Sequence, residues 1–391
     1  MRRASICLTL LFALGAVPSW RGMAPAGRVY GVPLKETRLG ARVDKYLGGL
    51  SKRGNFSGSV LIERHNRTVL AKGYGFADWK NRVHNTAETR FRLASVTKQF
   101  TAMAILELQE RGELSVHDFM CNYVPACPEA WQQITIHELL THTSGIPDLF
   151  SNDVPGFEPQ TPYTPEQVIA LVRDLPLESV PGTEFNYSNT GYVILGYIIA
   201  KVSREPYGTF LGDNVFRPLG MTNSGVSQDA LTVPNLAIGY TDLRDIRAPV
   251  WDETTAYSAA GAYSTVGDLN IWDQSLETQK LVSQKSLDAM FSVYYPPQAS
   301  VGYGYGWYIV NLPGHRIMWH DGEYPGVRTV NMWFPDDGVS IIVLSNETED
   351  DFGDIVDHVV TLVVGNAMKV QKSRYTVTSA TMPQSRLNRF R

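Results

Sequence analysis

Residues 91–98 read Phe-Arg-Leu-Ala-Ser-Val-Thr-Lys and lead into a helical pattern over about Val96–Arg111, which Gly112 ends. Within this stretch Ser95 and Lys98 are three residues apart, and residues at that spacing lie on the same face of a helix. A serine hydroxyl is a poor nucleophile until a neighbouring base accepts its proton, and a lysine kept neutral by burial can act as that base. The stretch therefore predicts a nucleophile and its base at a helix N-terminus, where backbone N–H groups suit a developing oxyanion.

A Ser-x-x-Lys pair on its own is a weak signal, because the same spacing occurs by chance in most proteins of this length. The alternative interpretation of the isolated tetrapeptide is an ordinary helix-capping serine followed by an exposed lysine. The prediction of a catalytic pair therefore depends on what the rest of the chain provides.

A second motif, residues 187–189, reads Tyr-Ser-Asn and lies on a predicted loop that enters a helical pattern over Thr190–Val202. Tyr187 can share proton transfer with Lys98, either as a phenolate or as a hydrogen-bonded shuttle. The amide of Asn189 can orient both the lysine and a substrate carbonyl. A helix-capping asparagine beside a packed tyrosine is the alternative interpretation.

A third motif, residues 320–322, reads His-Asp-Gly at the end of the strand-like run Arg316–Trp319. Glycine leaves room for a substrate backbone against the strand, so Gly322 is predicted to line the substrate, with His320 as a hydrogen-bonding partner of the ligand. The backbone N–H of Glu323 is the predicted second oxyanion donor, beside that of the nucleophile. A polar turn between two strands is the alternative interpretation.

The order of strand and helix patterns predicts an α+β fold, with a central antiparallel β-sheet built from N- and C-terminal segments and flanked by helices. A mainly helical region at about 113–290 is predicted to be inserted between these segments. The predicted early elements are a helix and a hairpin, namely Lys35–Leu50, Gly58–Glu63 and Val69–Gly75. The predicted later elements are a helix, four strands and a last helix, namely Val266–Leu276, Gly306–Val310, Arg316–Trp319, Thr329–Phe334, Val339–Leu344 and about Asp354–Ala367.

The order and wide spacing of the three motifs resemble those of the class C β-lactamase and D,D-peptidase family of penicillin-recognising serine hydrolases. Residues 91–98 resemble the nucleophile block of the family, and residues 139–146 and 259–269 resemble two further blocks. The resemblance covers about residues 36–367 and implies a β-lactamase/transpeptidase-like fold. It also implies roles for six residues: Ser95 as nucleophile, Lys98 and Tyr187 as the base pair, Asn189 as the orienting amide, and His320 and Gly322 as lining of the substrate-binding strand.

One difference from the family narrows the expected substrate. Class C β-lactamases usually carry Lys-Thr-Gly as the third motif, whereas His-Asp-Gly is more similar to the D,D-peptidases, D-aminopeptidases and esterases of the family. We therefore expect an acyl-enzyme hydrolase of D-amino-acid peptides, D-amino-acid amides or small esters, with slow acylation by penicillins. A catalytically silent binding or assembly protein that keeps the fold is the alternative, and a true β-lactamase is a lesser one.

Two other hydrolase classes are disfavoured. The histidines of residues 137–142, His-Glu-Leu-Leu-Thr-His, are five residues apart, which separates them by about 140° around a helix, whereas two zinc ligands on a helix are four apart. The sequence also contains no Gly-x-Ser-x-Gly elbow of an α/β-hydrolase. We predict that neither a metal nor an organic cofactor is required.

The N-terminus predicts export. Residues 1–26 resemble a signal peptide, because Arg2 and Arg3 precede an apolar run, Ile6–Val17, that is too short to span a bilayer comfortably. We predict a secreted or periplasmic protein with no stable membrane span after cleavage, and an uncleaved N-terminal anchor is the alternative. Residues 27–368 then form the hydrolase domain, and residues 369–391 form a basic disordered tail.

Composition and cysteines set a few further limits. The formal net charge of the 391 residues is −4, which gives no reason to expect nucleic-acid binding. Cys121 and Cys127 are six residues apart, and they are either a small-loop disulfide or two free thiols. The expected partner is a small-molecule or peptide substrate with an acyl group, and the sequence does not indicate an oligomeric state.

Overall fold

The computed structural model describes residues 34–150, 154–227, 233–242, 246–249, 251–296, 301–348 and 351–365. The predicted signal peptide and basic tail lie outside these residues. The strands are β1 Gly58–Arg64, β2 Thr68–Tyr74, β3 Phe76–Asp78, β4 Val83–His84, β5 Phe91–Arg92, β6 Gly225–Val226, β7 Tyr240–Asp242, β8 Ile246–Arg247, β9 Ala262–Ser264, β10 Val301–Tyr303, β11 Tyr308–Leu312, β12 His315–Tyr324, β13 Val327–Phe334 and β14 Val339–Ser345. The helices are α1 Leu34–Lys52, α2 Thr97–Glu110, α3 Ile136–Leu140, α4 Pro165–Val172, α5 Asn189–Ser203, α6 Tyr207–Leu211, α7 Arg217–Leu219, α8 Glu253–Ala260, α9 Val266–Ser275, α10 Gln284–Met290 and α11 Phe352–Val364.

Seven strands of the described chain form one antiparallel sheet in the order β10-β11-β12-β13-β14-β1-β2. The two ends of the chain meet in this sheet, because β1 pairs with β14 from Gly58 opposite Ser345 to Arg64 opposite Val339. The predicted α+β class, with a central antiparallel sheet formed by N- and C-terminal segments, is confirmed. The predicted early hairpin is also confirmed, and its tight turn places His65 and Asn66 in the left-handed region, as two-residue hairpin turns require.

Helices cover both faces of the sheet, so that every residue of β14 is buried. Successive side chains of a strand point to opposite faces. Accordingly Ile341 packs with Val43 of α1 and Val359 of α11, whereas its neighbour Ile342 packs into the larger cluster that contains Phe100 of α2. Burial on both faces explains why β14 contains the unbroken apolar run Ile341–Leu344 instead of an alternating pattern.

The strand β12 is longer than predicted, and its additional residues carry the third motif. It does not end at Trp319 but continues through the His-Asp-Gly motif to Tyr324, because β13 pairs with it up to the turn at Gly326. On its other edge, β11 pairs with it only as far as Tyr308 opposite Trp319. In the described chain no strand therefore pairs with that edge over residues 320–324, and the turn Ala94–Val96 packs against this part of β12 instead.

Two remaining features are the pairing of the cysteines and the length of the helices. Cys121 and Cys127 form a disulfide, so the first of the two interpretations left open by the sequence holds in the structure. Among the described residues no helix combines the length and the apolar character needed to cross a bilayer.

Candidate active site

The residues around Ser95 form a tight turn that the sheet and a small second sheet hold in place. The strand β5 pairs with β9, and the next residue, Leu93, donates its N–H to the carbonyl of Ala262 at 2.8 Å and accepts the hydroxyl of Thr329 at 2.8 Å. Residues Ala94–Val96 then form a 3-10 turn that leads into α2. The cap residue of α2 is Val96, which has no side-chain cap, so the interpretation of Ser95 as an ordinary helix-capping serine is wrong.

Lys98 is the centre of the polar contacts in this region. Its side chain has no exposed surface, and its Nζ in the protonated form donates to three acceptors, the Oγ of Ser95 at 3.1 Å, the Oδ1 of Asn189 at 2.8 Å and the carbonyl of Ala259 at 3.0 Å. Burial lowers the pKa of Lys98 to about 7, and the carboxylates of Asp148 and Asp321 oppose this shift. The alternative of an exposed lysine is therefore wrong.

Tyr187 lies beside this lysine, with its ring centroid 4.8 Å from the Nζ of Lys98. A side-chain hydrogen bond joins it to Ser95, but burial raises the pKa of Tyr187 well above its usual value of 10. The phenol therefore keeps its proton at neutral pH. Ser188 caps the helix α5 by accepting the N–H of Gly191 at 3.1 Å, so the capping role that the sequence suggested for Asn189 belongs to its neighbour.

Asp148 determines how the amide of Asn189 is oriented, and sequence reasoning missed it. Its carboxylate accepts the backbone N–H of Asn189 at 2.9 Å and the side-chain Nδ2 at 3.3 Å. Since the Nδ2 points to a carboxylate, the Oδ1 of the same amide is the atom that faces Lys98. Asp148 comes two residues after the block 139–146 that resembles the family. The sequence alone does not distinguish a buried aspartate at this place from an exposed one.

His142 is a second residue whose place in the site the sequence did not reveal. It adopts a positive φ of 58° just after α3, its Nδ1 accepts the backbone N–H of Ser188 at 3.0 Å, and its ring stacks on Tyr187 with centroids 4.1 Å apart. Burial lowers the pKa of His142 well below its usual value, and Lys98 and His320 add to this effect. His142 is therefore a neutral ring that supports the position of Tyr187.

The histidine pair that suggested a metal motif is separated in the structure. His137 lies on α3 and bonds the hydroxyl of Tyr305 at 2.8 Å, whereas His142 contacts Tyr187. Within the described ranges no group of three or more His, Cys, Asp or Glu side chains is arranged to hold a metal ion.

His320 reaches the same region from β12 and is only 1% exposed. Its Nδ1 donates to the carbonyl of Asp321 at 2.6 Å, and its Nε2 accepts the hydroxyl of Tyr303 at 3.0 Å. Burial and the neighbouring Lys98 lower the pKa of His320 to about 3. The ring is therefore neutral, and a hydrogen bond to a ligand requires one of its nitrogens to exchange partners.

Gly322 lies where the nucleophile turn approaches β12. A Cβ on this residue would come within 2.4 Å of the carbonyl oxygen of Leu93 and 3.0 Å of the Cβ of Ala94. Close packing of the turn thus gives a reason for glycine that the sequence did not reveal, and contact with a substrate stays a prediction. Glu323 has an exposed side chain paired with Arg328 at 2.9 Å, and its backbone N–H stays a predicted oxyanion donor.

The structure therefore brings together the residues of all three motifs. Ser95, Lys98, Tyr187 and Asn189 are in direct contact, and His320 lies beside them with its ring centroid 6.2 Å from that of Tyr187. A buried amine with a lowered pKa next to a serine hydroxyl is an arrangement that can generate a nucleophile at neutral pH.

Comparison with known proteins agrees with this geometry. Residues 41–365 match the family model described as Beta-lactamase. The chain is 33% identical over 322 residues to PbpX of Bacillus subtilis (strain 168), whose name places it provisionally among the penicillin-binding proteins, and the match covers 81% of this chain and 76% of that protein.

Solved structures show the same fold. The octameric penicillin-binding protein homologue from Pyrococcus abyssi is similar with a TM-score of 0.72 and 30% identity, over 83% of this chain and 77% of that one. The D-amino acid amidase from Ochrobactrum anthropi SV3 is similar in fold with a TM-score of 0.71 and 24% identity, over 84% of this chain and 99% of that one. The chain therefore belongs to the beta-lactamase family of serine hydrolases.

Proposed function

We propose that the chain hydrolyses D-amino-acid peptides, D-amino-acid amides or small esters through an acyl-enzyme formed on Ser95. The observation that carries this proposal is the contact of 3.1 Å between the Oγ of Ser95 and the Nζ of Lys98, a fully buried amine. Because its pKa is lowered to about 7, a large fraction of this amine is neutral at physiological pH and ready to accept a proton.

In the first step Lys98 accepts the proton of the Ser95 hydroxyl while the Oγ forms a bond to the substrate carbonyl carbon. The oxyanion that results is held by the backbone N–H groups of Ser95 and Glu323. The bond to the leaving group then breaks, and the leaving group takes the proton from Lys98 through Tyr187. Of the two roles considered for Tyr187, the raised pKa supports the protonated shuttle and not the phenolate.

In the second step a water molecule gives a proton to Lys98 and attacks the acyl carbon. The ester bond to Ser95 breaks, and its Oγ recovers the proton from Lys98, which restores the starting state. Asn189 keeps the lysine amine directed at Ser95 in both steps, because its Oδ1 accepts from the Nζ at 2.8 Å. His320 and Gly322 are proposed to line the substrate along the part of β12 that pairs with no strand of the described chain on that edge.

The neutral state of His320 favours D-amino-acid amides and small esters, which need no carboxylate next to the reacting carbonyl, over β-lactams. The third motif of a class C β-lactamase supplies a lysine, whereas His320 has both nitrogens engaged by the protein and a pKa lowered to about 3. It cannot supply a positive charge to a carboxylate next to the reacting carbonyl. The relatives named above as penicillin-binding proteins and the amidase with the same fold support the choice of substrates.

The test is intact-protein mass spectrometry after incubation with a fluorescent penicillin, together with hydrolysis assays on D-alanyl peptides, D-amino-acid amides and short-chain p-nitrophenyl esters. We expect one adduct on Ser95 and none on Ser95→Ala, with Ser275→Ala of α9 as the control that keeps both labelling and turnover. Full hydrolysis by Ser95→Ala contradicts the mechanism. Absence of both labelling and turnover in the unmodified chain supports the alternative of a catalytically silent binding protein.

We also propose that the protein is exported, because an apolar run follows two arginines at the N-terminus. Expression of the full chain followed by N-terminal sequencing of the exported protein tests this. Cleavage close to residue 26 supports a signal peptide, whereas a membrane-bound chain with an intact N-terminus supports the anchor.

A further inference from the structure

The backbone directly before Ser95 is strained. Ala94 has a positive φ of 47°, a conformation that residues with a Cβ rarely adopt and that persists only where the surrounding structure holds it. Its side chain is fully buried in a small cluster with Ala256, Tyr324 and Val327. The packing behind Ala94 therefore decides how the Ser95 hydroxyl is presented.

A cavity lies behind this turn. It is lined by Arg92 of β5, Tyr324 at the end of β12, Glu253 at the start of α8, and Ser227, with Tyr263 of β9 and small residues from α8 to β9 completing the wall. Arg92 is three residues before Ser95, and the same α8 provides the carbonyl of Ala259 that Lys98 contacts. The space has room for about one water molecule.

Three polar atoms of the cavity lining are buried without a hydrogen-bond partner among the described residues, the Oε2 of Glu253, the hydroxyl of Tyr324 and the Oγ of Ser227. The residues that carry them are 7%, 8% and 5% exposed. Unpaired buried polar atoms are rare in native proteins, and when several face one small space an internal water usually joins them. The three residues that carry these atoms line the same cavity, so a small polar molecule there could bond to them.

The donor and acceptor properties of the lining select water. The Oε2 of a carboxylate can only accept, whereas the two hydroxyls can donate, and a water molecule can donate to the first and accept from the other two. A metal cation is disfavoured because the guanidinium of Arg92 lies next to the site, with its Nε bonded to the Oε1 of Glu253 at 2.5 Å.

We propose that the cavity is an internal water site and that this water, together with the ion pair of Arg92 and Glu253, holds the strained turn that presents Ser95. Arg92, Glu253, Tyr324 and Ser227 are then positioning residues. They touch neither the substrate nor the reacting atoms but connect β5, β12 and α8 behind the nucleophile.

A crystal structure of the protein, with a second crystal soaked in rubidium chloride, tests the water site. We expect one density peak within hydrogen-bonding distance of Glu253, Tyr324 and Ser227, without a rubidium anomalous signal. An anomalous peak at this position shows a cation site and overturns the proposal, as does a cavity without density at a resolution at which other internal waters are visible.

Amide hydrogen exchange at Leu93 tests the effect on the turn, because its N–H donates to the carbonyl of Ala262. Tyr324→Phe and Ser227→Ala each remove one partner of the water, and we expect each to speed exchange at Leu93 and to lower kcat roughly tenfold with little change in KM, as for a misplaced catalytic group. Tyr197→Phe is the matched control, because Tyr197 of α5 is also 8% exposed and is not part of the cavity lining.

Unchanged exchange at Leu93 and unchanged kcat in both cavity variants overturn the positioning role. The density and the exchange rate do not depend on turnover. If Ser95 proves not to be acylated, the proposed function fails while both of these readouts still decide the water site.

Discussion

The Oδ1 of Asn189 lies 2.8 Å from the Nζ of Lys98, and the carboxylate of Asp148 holds the other side of the same amide. An amide has one acceptor and one donor side, so a carboxylate on the donor side leaves only one orientation. Asp148 thus acts on Lys98 in two ways: it orients the amide that contacts the lysine, and its negative charge raises the pKa of the lysine.

Asp148→Asn is expected to shift the pH dependence of the reaction. Loss of the negative charge lowers the pKa of Lys98 further, so the rising limb of kcat/KM moves to lower pH, and loss of the fixed amide orientation lowers the maximum roughly tenfold. The pH–rate profile measures both effects. Asp174→Asn is the control, since the Asp174 side chain is 82% exposed, and an unchanged profile for Asp148→Asn contradicts the role assigned to Asp148.

The unmodified enzyme is expected to show one ionisation between pH 5 and pH 9. Lys98 must lose its proton to act as base, so kcat/KM for a neutral ester rises with pH through the pKa of about 7. The pKa of His320 is lowered to about 3 and that of Tyr187 is raised well above 10, so neither titrates in this range. A rising limb near pH 4, or a flat profile, would be inconsistent with Lys98 as the base.

Tyr187→Phe is expected to separate amides from activated esters. The variant keeps the ring next to Lys98 but loses the proton donor, so kcat for a D-amino-acid amide falls roughly a hundredfold. The loss for a p-nitrophenyl ester is smaller, because p-nitrophenolate leaves without a proton. Comparison of the two substrates in single-turnover assays, with Tyr197→Phe as control, measures the difference, and equal losses on both substrates argue against a proton shuttle.

Asp273→Asn is expected to stabilise the fold at high pH. Asp273 is fully buried, and burial raises its pKa from 3.8 to about 7 although hydrogen bonds from Asn331, at 2.8 Å, and Ser340 oppose this shift. The folded protein thus retains a proton that the unfolded chain loses, so the contribution of Asp273 to stability is complete below pH 3.8 and is lost as the pH rises to about 7. An asparagine imitates the protonated form at every pH.

The free energy of unfolding in urea measures this difference. We expect the variant to match the unmodified protein near pH 4 and to exceed it at pH 8 by up to about 4 kcal/mol, because one pKa unit corresponds to about 1.36 kcal/mol. Asp288→Asn, which changes an exposed carboxylate of α10, is the control. Equal differences at both pH values would mean that folding does not raise the pKa of Asp273.

Local patterns in the sequence were sufficient to predict most of the helices and strands around the site. Helical spacing and Gly112 predicted the helix after Ser95, and alternating and apolar runs predicted the hairpin and the strands β11, β13 and β14 to within about two residues. The strand β10 was not predicted, and β12 continues five residues past its predicted end at Trp319. The separation of strands between the two ends of the chain predicted one sheet formed by both. The pairing of Ser95 with Lys98 was predictable for the same reason, since both lie within one helical turn.

The tertiary structure decided what depends on distant parts of the chain. The extension of β12 to Tyr324 follows from pairing with β13, and the places of His142 and Asp148 follow from the packing of their loop against the start of α5. The charge states of the site residues also depend on the tertiary structure, because the pKa of Lys98 and the neutral form of His320 depend on burial and on neighbours far away in sequence. The sequence by itself thus determined which chemical groups the protein has and which of them are local neighbours, whereas only the folded chain decided their protonation and orientation, because both depend on long-range contacts.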